Sequence, residues 1–194
     1  MKLFSENIED LRTLYVTGLK KALDMEQKIT KALPTMIEKS TDTELATAFR
    51  NHLTQTQQHV AKVQTLLRDA TGDDSTSTCK AISALITEAE DNIKDAAEPS
   101  IRDITLIASA QQVEHHEIAV YGTLRNWAEL LGQDEVVSLL QETLDEEAET
   151  DRKLTELASS LNLKAEAGSD EDSDDDDEDD EEEEGDEDSE ETEK

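Results

Sequence analysis

Glu114-His115-His116-Glu117-Ile118-Ala119-Val120-Tyr121 decides how this chain is read. Glu114 and Glu117 are three residues apart, so in a helix they share a face, and that face also carries Ile107, Gln111, Ile118 and Tyr121. Two carboxylates in an apolar stripe call for an explanation, because burying unpaired charge costs several kcal/mol per group. A divalent metal supplies one. The bland alternative is a helix edge where the acids reach solvent or meet Lys and Arg.

Working outward, Glu117 and Glu146 flank Leu131-Gly132, and Glu26 and Gln55 flank Ser40-Thr41. The two pairs have the same internal spacing and are offset by 91 residues. If both centres are turns between long helices, each pair lies at one height on the inner face of an antiparallel hairpin. Helix A is expected from about Glu6 to Lys39, capped by Ser5, with a stripe of Tyr15, Leu19, Ala22, Ile29, Leu33 and Ile37. Pro34 should bend it or interrupt its hydrogen bonds. Thr41-Asp42-Thr43-Glu44 has the form of a capping box that opens helix B, which continues through Leu45, Phe49, Val63 and Leu66 to about Ala70.

Residues 71–78 read as a loop, and a short helix follows over roughly 79–96. Pro99 suits the first turn of helix C, which runs to about Leu131, and Gly132 suits a left-handed cap. Helix D spans about Asp134 to Leu161. Short connections within each hairpin and a long one between them predict an all-α, ferritin-like four-helix bundle with one crossover, occupying residues 1–164. The scarcity of Gly (6) and Pro (2) agrees with an all-helical body.

Residues 165–194 hold 21 acidic residues and one Lys, which accounts for most of the net charge of −32. They lack the apolar surface to offset the entropy of ordering and are read as a disordered tail. Its runs Asp174–Asp177 and Glu181–Glu184 could contact basic proteins or divalent cations. Such a field repels phosphate backbones, so direct nucleic-acid binding is not expected. No signal-peptide-like or membrane-spanning run is present in the sequence, which points to a cytoplasmic protein. Cys79 is alone and has no Cys or His at zinc spacing, and no nucleophile–base arrangement or phosphate-binding loop emerges.

Candidate metal ligands are therefore Glu26, Gln55, His59, Glu114, Glu117 and Glu146. Glu149 forms an E-x-x-E pair with Glu146, or is solvated beside Glu147. His52, Gln55 and His59 share a face of helix B. His59 is read as a ligand or as a buried histidine bonded to a carboxylate. His52 is read as a group behind the ligands, a ligand one turn away, or a structural histidine. His115 and His116 face away from the Glu114/Glu117 side.

Asp24-Met25-Glu26-Gln27-Lys28, Lys31-Ala32-Leu33-Pro34 and Val113–Leu124 closely resemble the YciE/YciF ferritin-like family of bacterial stress proteins. The resemblance extends through Leu140–Glu147 and Leu154–Leu157, covers roughly residues 3–161, and leaves out the acidic tail. It implies a rubrerythrin-like bundle, usually a homodimer, with a two-metal carboxylate centre of iron or manganese able to meet oxygen or peroxide. Glu26, Glu114, Glu117, Glu146 and Glu149 match its ligands, with Glu26 and Glu117 bridging. Gln55 stands where the family usually has Glu and offers only a neutral carbonyl oxygen, so half of the centre is expected to be weak, empty, or completed by His59.

Overall fold

The computed structural model describes the backbone of residues 8–171 and the side chains of residues 8–167. Five helices follow one another: α1 Leu11–Lys39, α2 Thr43–Thr71, α3 Lys80–Asp95, α4 Pro99–Leu130 and α5 Asp134–Glu171. α1 pairs with α2 and α4 with α5, and the contacts α1–α4 and α2–α5 close the four into a ring. α3, carried on the crossover, lies against α4 and α1. This is the expected bundle with the expected extra helix. Among the described residues no helix is long and apolar enough to cross a membrane.

The inner stripes follow heptad-like 3–4 spacing. α1 contributes Tyr15, Leu19, Ala22, Glu26, Ile29 and Leu33; α2 contributes Leu45, Phe49, His52, Thr56, His59 and Val63. α1 runs unbroken through Pro34, which deprives the Thr30 carbonyl of its donor without ending the helix. At Gly18 a Cβ would stand 2.8 Å from Leu124 Cδ2, so the small residue lets α1 and α4 approach closely.

The helix ends differ from the sequence reading in three places. α1 starts at Leu11 because Asp10 caps it, its Oδ1 accepting from Thr13 N at 2.7 Å; Ser5 lies outside the described residues. The cap of α2 is Asp42, which accepts from Glu44 N and Leu45 N, so Thr41 is released from the expected capping box. α5 passes Leu161 and continues to Glu171, because buried Leu161 and Ala165 extend its inner stripe. Residues 172–194, with most of the expected disordered tail, lie outside the described residues.

Thr41 serves a different purpose. Asp103, buried on α4, accepts from Thr41 N at 2.8 Å, Thr41 Oγ1 at 2.6 Å and Asp42 N at 2.8 Å. One carboxylate thereby fastens the α1–α2 turn to the second hairpin. α3 is tied in a similar way. Asp24 Oδ2 accepts from Cys79 N at 2.8 Å and from Lys28 Nζ at 2.6 Å, and Lys28 also reaches Ser83 Oγ at 2.8 Å.

Candidate metal centre

At mid-height the four stripes turn polar together. Glu26 from α1, His52 and His59 from α2, Glu114 and Glu117 from α4, and Glu147 from α5 are all buried. One oxygen or nitrogen each from His52, Glu114, Glu117 and Glu147 lies within 4.8 Å of the others, and Glu26, His59 and Glu147 converge in the same way. Glu147 belongs to both groups.

Few of these atoms are satisfied. The Tyr121 hydroxyl donates to Glu26 Oε1. His52 Nε2 stands 3.1 Å from Glu114 Oε1, and His59 Nδ1 stands 2.9 Å from Glu147 Oε1 and 3.9 Å from Glu26 Oε2. Neither imidazole is aligned there as a hydrogen-bond donor, so Glu26 Oε2, His59 Nδ1, both nitrogens of His52 and both oxygens of Glu117 and of Glu147 lack hydrogen-bond partners. Buried polar groups are rarely left so.

The electrostatics follow from the crowding. Burial pushes the Glu26 carboxyl up to about 8, with the Glu147 charge adding to it and His59 opposing. Burial, then Glu147, also hold Glu114 and Glu117 well above the usual carboxylate range. For His59 burial acts downward, but Glu147, Glu26 and Glu146 outweigh it and carry the imidazole up to about 9. His52 is lowered, burial outweighing the attraction of Glu147. Without a cation, then, Glu26, Glu114 and Glu117 hold their protons more tightly than ordinary carboxyls.

Four of the seven residues singled out in the sequence, Glu26, His59, Glu114 and Glu117, meet in the cluster. Glu146 does not join the converging atoms. Its Oε2 sits 2.6 Å from His59 Nε2, on the far side of the ring, where it orients the imidazole and leaves Nδ1 facing inward. Lys62 steadies Glu146 at 3.5 Å. Gln55 is half-buried on an outer groove lined also by Glu142, Glu146 and Glu149. Glu149 is partly exposed and held by Arg152, whose hydrogen bond lowers it to about 2.

The physical reason is a slip of one residue, which turns a helical position by about 100°. The 91-residue offset is right, but the inward pair of the second hairpin is Glu117 with Glu147, centred on Gly132, whose φ of +70° marks the turn. Its counterpart in the first hairpin is Glu26 with Thr56. Thr56, fully buried, donates its hydroxyl to the His52 carbonyl at 2.8 Å and takes the place of the missing acid. His52 and His59 correspond by the same offset to Thr143 and Thr150. The two hairpins therefore supply complementary halves of one donor set.

The stripe Leu140, Thr143, Glu147, Thr150, Leu154, at unbroken 3–4 spacing, is the signal that would have found Glu147. Leu139, which is 42% exposed, lies outside that stripe. His115, exposed, pairs with Asp151 at 3.3 Å as expected of a surface residue. His116, by contrast, is half-buried and lies 3.6 Å from Cys79 Sγ at the start of α3.

Four carboxylates and two imidazoles from four helices make a donor set suited to two hard or borderline divalent cations, and the orphaned atoms face where such ions would lie. The residues fit the group that the resemblance implies.

Comparisons with known proteins agree with the fold. A family model described as a domain of unknown function (DUF892) matches residues 10–167. Protein YciF of Escherichia coli (strain K12) is 36% identical over 162 residues, which span 82% of this chain and 98% of that protein. A putative structural protein from Rhodopseudomonas palustris superimposes with a TM-score of 0.76 at 38% identity, over 79% of this chain and 98% of that one. The crystal structure of the E. coli stress protein YciF gives 0.76 at 34% identity, over 80% and 99%.

Proposed function

The chain belongs to the DUF892 family, and from that membership and the chemistry of the buried cluster we propose that it is a stress-response protein whose bundle holds two divalent metals, iron or manganese, for reaction with oxygen or peroxide. The supporting observation is the set of buried, unpartnered carboxylate and imidazole atoms. His52, Glu114, Glu117 and Glu147 would hold one ion; Glu26, His59 and Glu147 would hold the other, with Glu147 shared. Metals bound there would supply the electron transfer that these side chains cannot.

The protein's own part is positional. Glu146 fixes the His59 tautomer by occupying Nε2, the carboxylate–histidine device that raises a ligand's basicity. Tyr121 holds Glu26 by its hydroxyl. The six side chains that would hold the ions are themselves buried, which strengthens the charge interactions among them.

Thr56 motivates a second reading, a metal-poor bundle that acts through a homodimer and through contacts of its acidic tail with basic proteins or cations. Metal analysis of anaerobically purified protein, with and without added ferrous iron or manganese, decides between them. About two ions per chain in the wild type, reduced by Glu147→Gln, is the expected result. No ion in the wild type but uptake in Thr56→Glu would overturn the first reading in favour of the second.

A further inference from the structure

α3 is the most amphipathic part of the crossover, yet only Ile82 of its residues is buried. Ile86 and Ile93 share the face of Ile82 and are half-buried; they pack against the core and also line a cavity beside it. The cavity has a volume of about 360 Å³ and lies among α1, α2, α3 and α4. Its walls include Ile29, Leu33, Phe49, Ile86, Ile93 and Val113. At its floor are His52 and Glu114, both nearly fully buried and both with unpartnered polar atoms. The exposed Lys31 and Glu90 stand at its rim.

We propose that this cavity is a binding site for a medium-chain aliphatic molecule, with its chain under α3 and a neutral polar end, a hydroxyl or carbonyl, against His52 and Glu114. Apolar walls over most of the space select a hydrocarbon body, since a polar one would leave its groups unpaired there. The volume holds roughly ten to twelve non-hydrogen atoms at the ~30 Å³ that one water occupies in the liquid. An anionic head is repelled at the floor, which already gathers the carboxylates, and burial is costly for a head of either charge. The acidic residues 172–194 are equally poor occupants, having no apolar side chain to place against Ile29 or Phe49.

The anchoring of α3 suits a roof over such a site. Asp24, Lys28 and Ser83 pin its beginning, while the segment carrying Ile86 and Ile93 is held by little besides its own apolar face. The site goes beyond the metal reading: it shares His52 and Glu114 with it, but its apolar walls belong to no ligand group, so it is tested on metal-free protein.

The test uses 1-octanol as probe with the full-length protein freed of metal. Calorimetric titration should show one molecule bound per chain, and nuclear Overhauser contacts should connect the CH2 beside the hydroxyl to the His52 ring. Ala89→Trp, on the half-buried wall of α3, should weaken binding at least tenfold while the helical circular dichroism stays unchanged. Glu117→Gln, at a residue that does not line the cavity, should lower metal uptake while one octanol per chain still binds. Absence of saturable binding overturns the proposal, and so does binding that Ala89→Trp leaves untouched. Contacts from His52 to the terminal CH3 instead overturn its orientation. Octanol binding by a protein that takes up no metal would leave this site standing and remove only the metal reading.

Discussion

Two regions of α4 bury carboxylates, and they do so in opposite ways. Asp103 accepts three hydrogen bonds from the turn between α1 and α2. Some three turns further along, Glu114 and Glu117 face other acids, and both oxygens of Glu117 have no donor at all. Asp103 is placed so that its charge is met within the protein, and its work is to hold two hairpins together. The glutamates are placed so that their charge is not met. A fold that can satisfy a buried acid so completely in one place leaves several unsatisfied in another, and that contrast is what supports the metal reading of the cluster.

The contrast has consequences that can be broken by experiment, and the largest concerns Asp103. Its replacement by Ala removes three charge-assisted bonds and leaves two backbone donors without partners. Asp103→Ala should cost about 3–4 kcal/mol, read as a lowered urea midpoint with the same m-value. A loss below about 1 kcal/mol would mean that the turn finds water instead and that the clamp matters little.

Next in size is the pH response of the metal-free protein. Glu26 moves from an ordinary value of 4.5 up to about 8, and His59 from 6.5 up to about 9. Both shifts are upward, so the folded state binds more protons than the unfolded one. Their stabilisation is complete below the unfolded values and is lost as pH rises through about 8 and 9. Metal-free protein should be less stable at pH 8.5 than at pH 5.5. The overall negative charge pushes the same way, so the diagnostic is the difference between wild type and Glu26→Gln, which should have the shallower profile. Parallel profiles would show that Glu26 ionises as freely as a surface acid.

A smaller effect of opposite sign to Asp103→Ala is expected at Glu117. With no ion present, replacing an unpartnered buried acid by an apolar residue of similar volume is often stabilising. Glu117→Leu should raise metal-free stability at pH 7.5 by about 1–2 kcal/mol and abolish metal uptake. Destabilisation instead would place Glu117 with Asp103, as an acid that supports the fold.

How much of this was legible in the sequence depended on the kind of signal. Helix order, the two turns, the crossover helix and the first-turn Pro99 follow from periodicity and punctuation, which are local. Glu26, Glu114 and Glu117 were legible because each sits inside an apolar stripe read in the right phase. Glu146 and Glu147 are adjacent acids, and only phase separates a residue facing the cluster from one standing behind His59. The Asp103 clamp was not legible at all, since Thr41 and Asp42 already read as a self-contained cap and nothing local says that their partner lies on α4. The cavity under α3 was equally hidden, because an apolar face looks the same in sequence whether it is packed or not.

The phase question yields the smallest expected effect and the sharpest use of it. Gln55 and Thr56 are neighbours, yet Gln55 lines an outer groove while Thr56 is fully buried opposite Glu147. Gln55→Glu should change stability by less than about 0.5 kcal/mol, as surface substitutions usually do, and leave metal uptake as it was. Thr56→Glu adds a further acid to the buried cluster, so it should lower metal-free stability and regain it when iron or manganese is supplied. If Gln55→Glu were instead the variant whose stability became metal-dependent, the inner face of α2 would be turned by one residue. The donor set would then be Glu26, Glu117 and Glu146 around position 55, and the contrast with Asp103 would have to be rebuilt on that register.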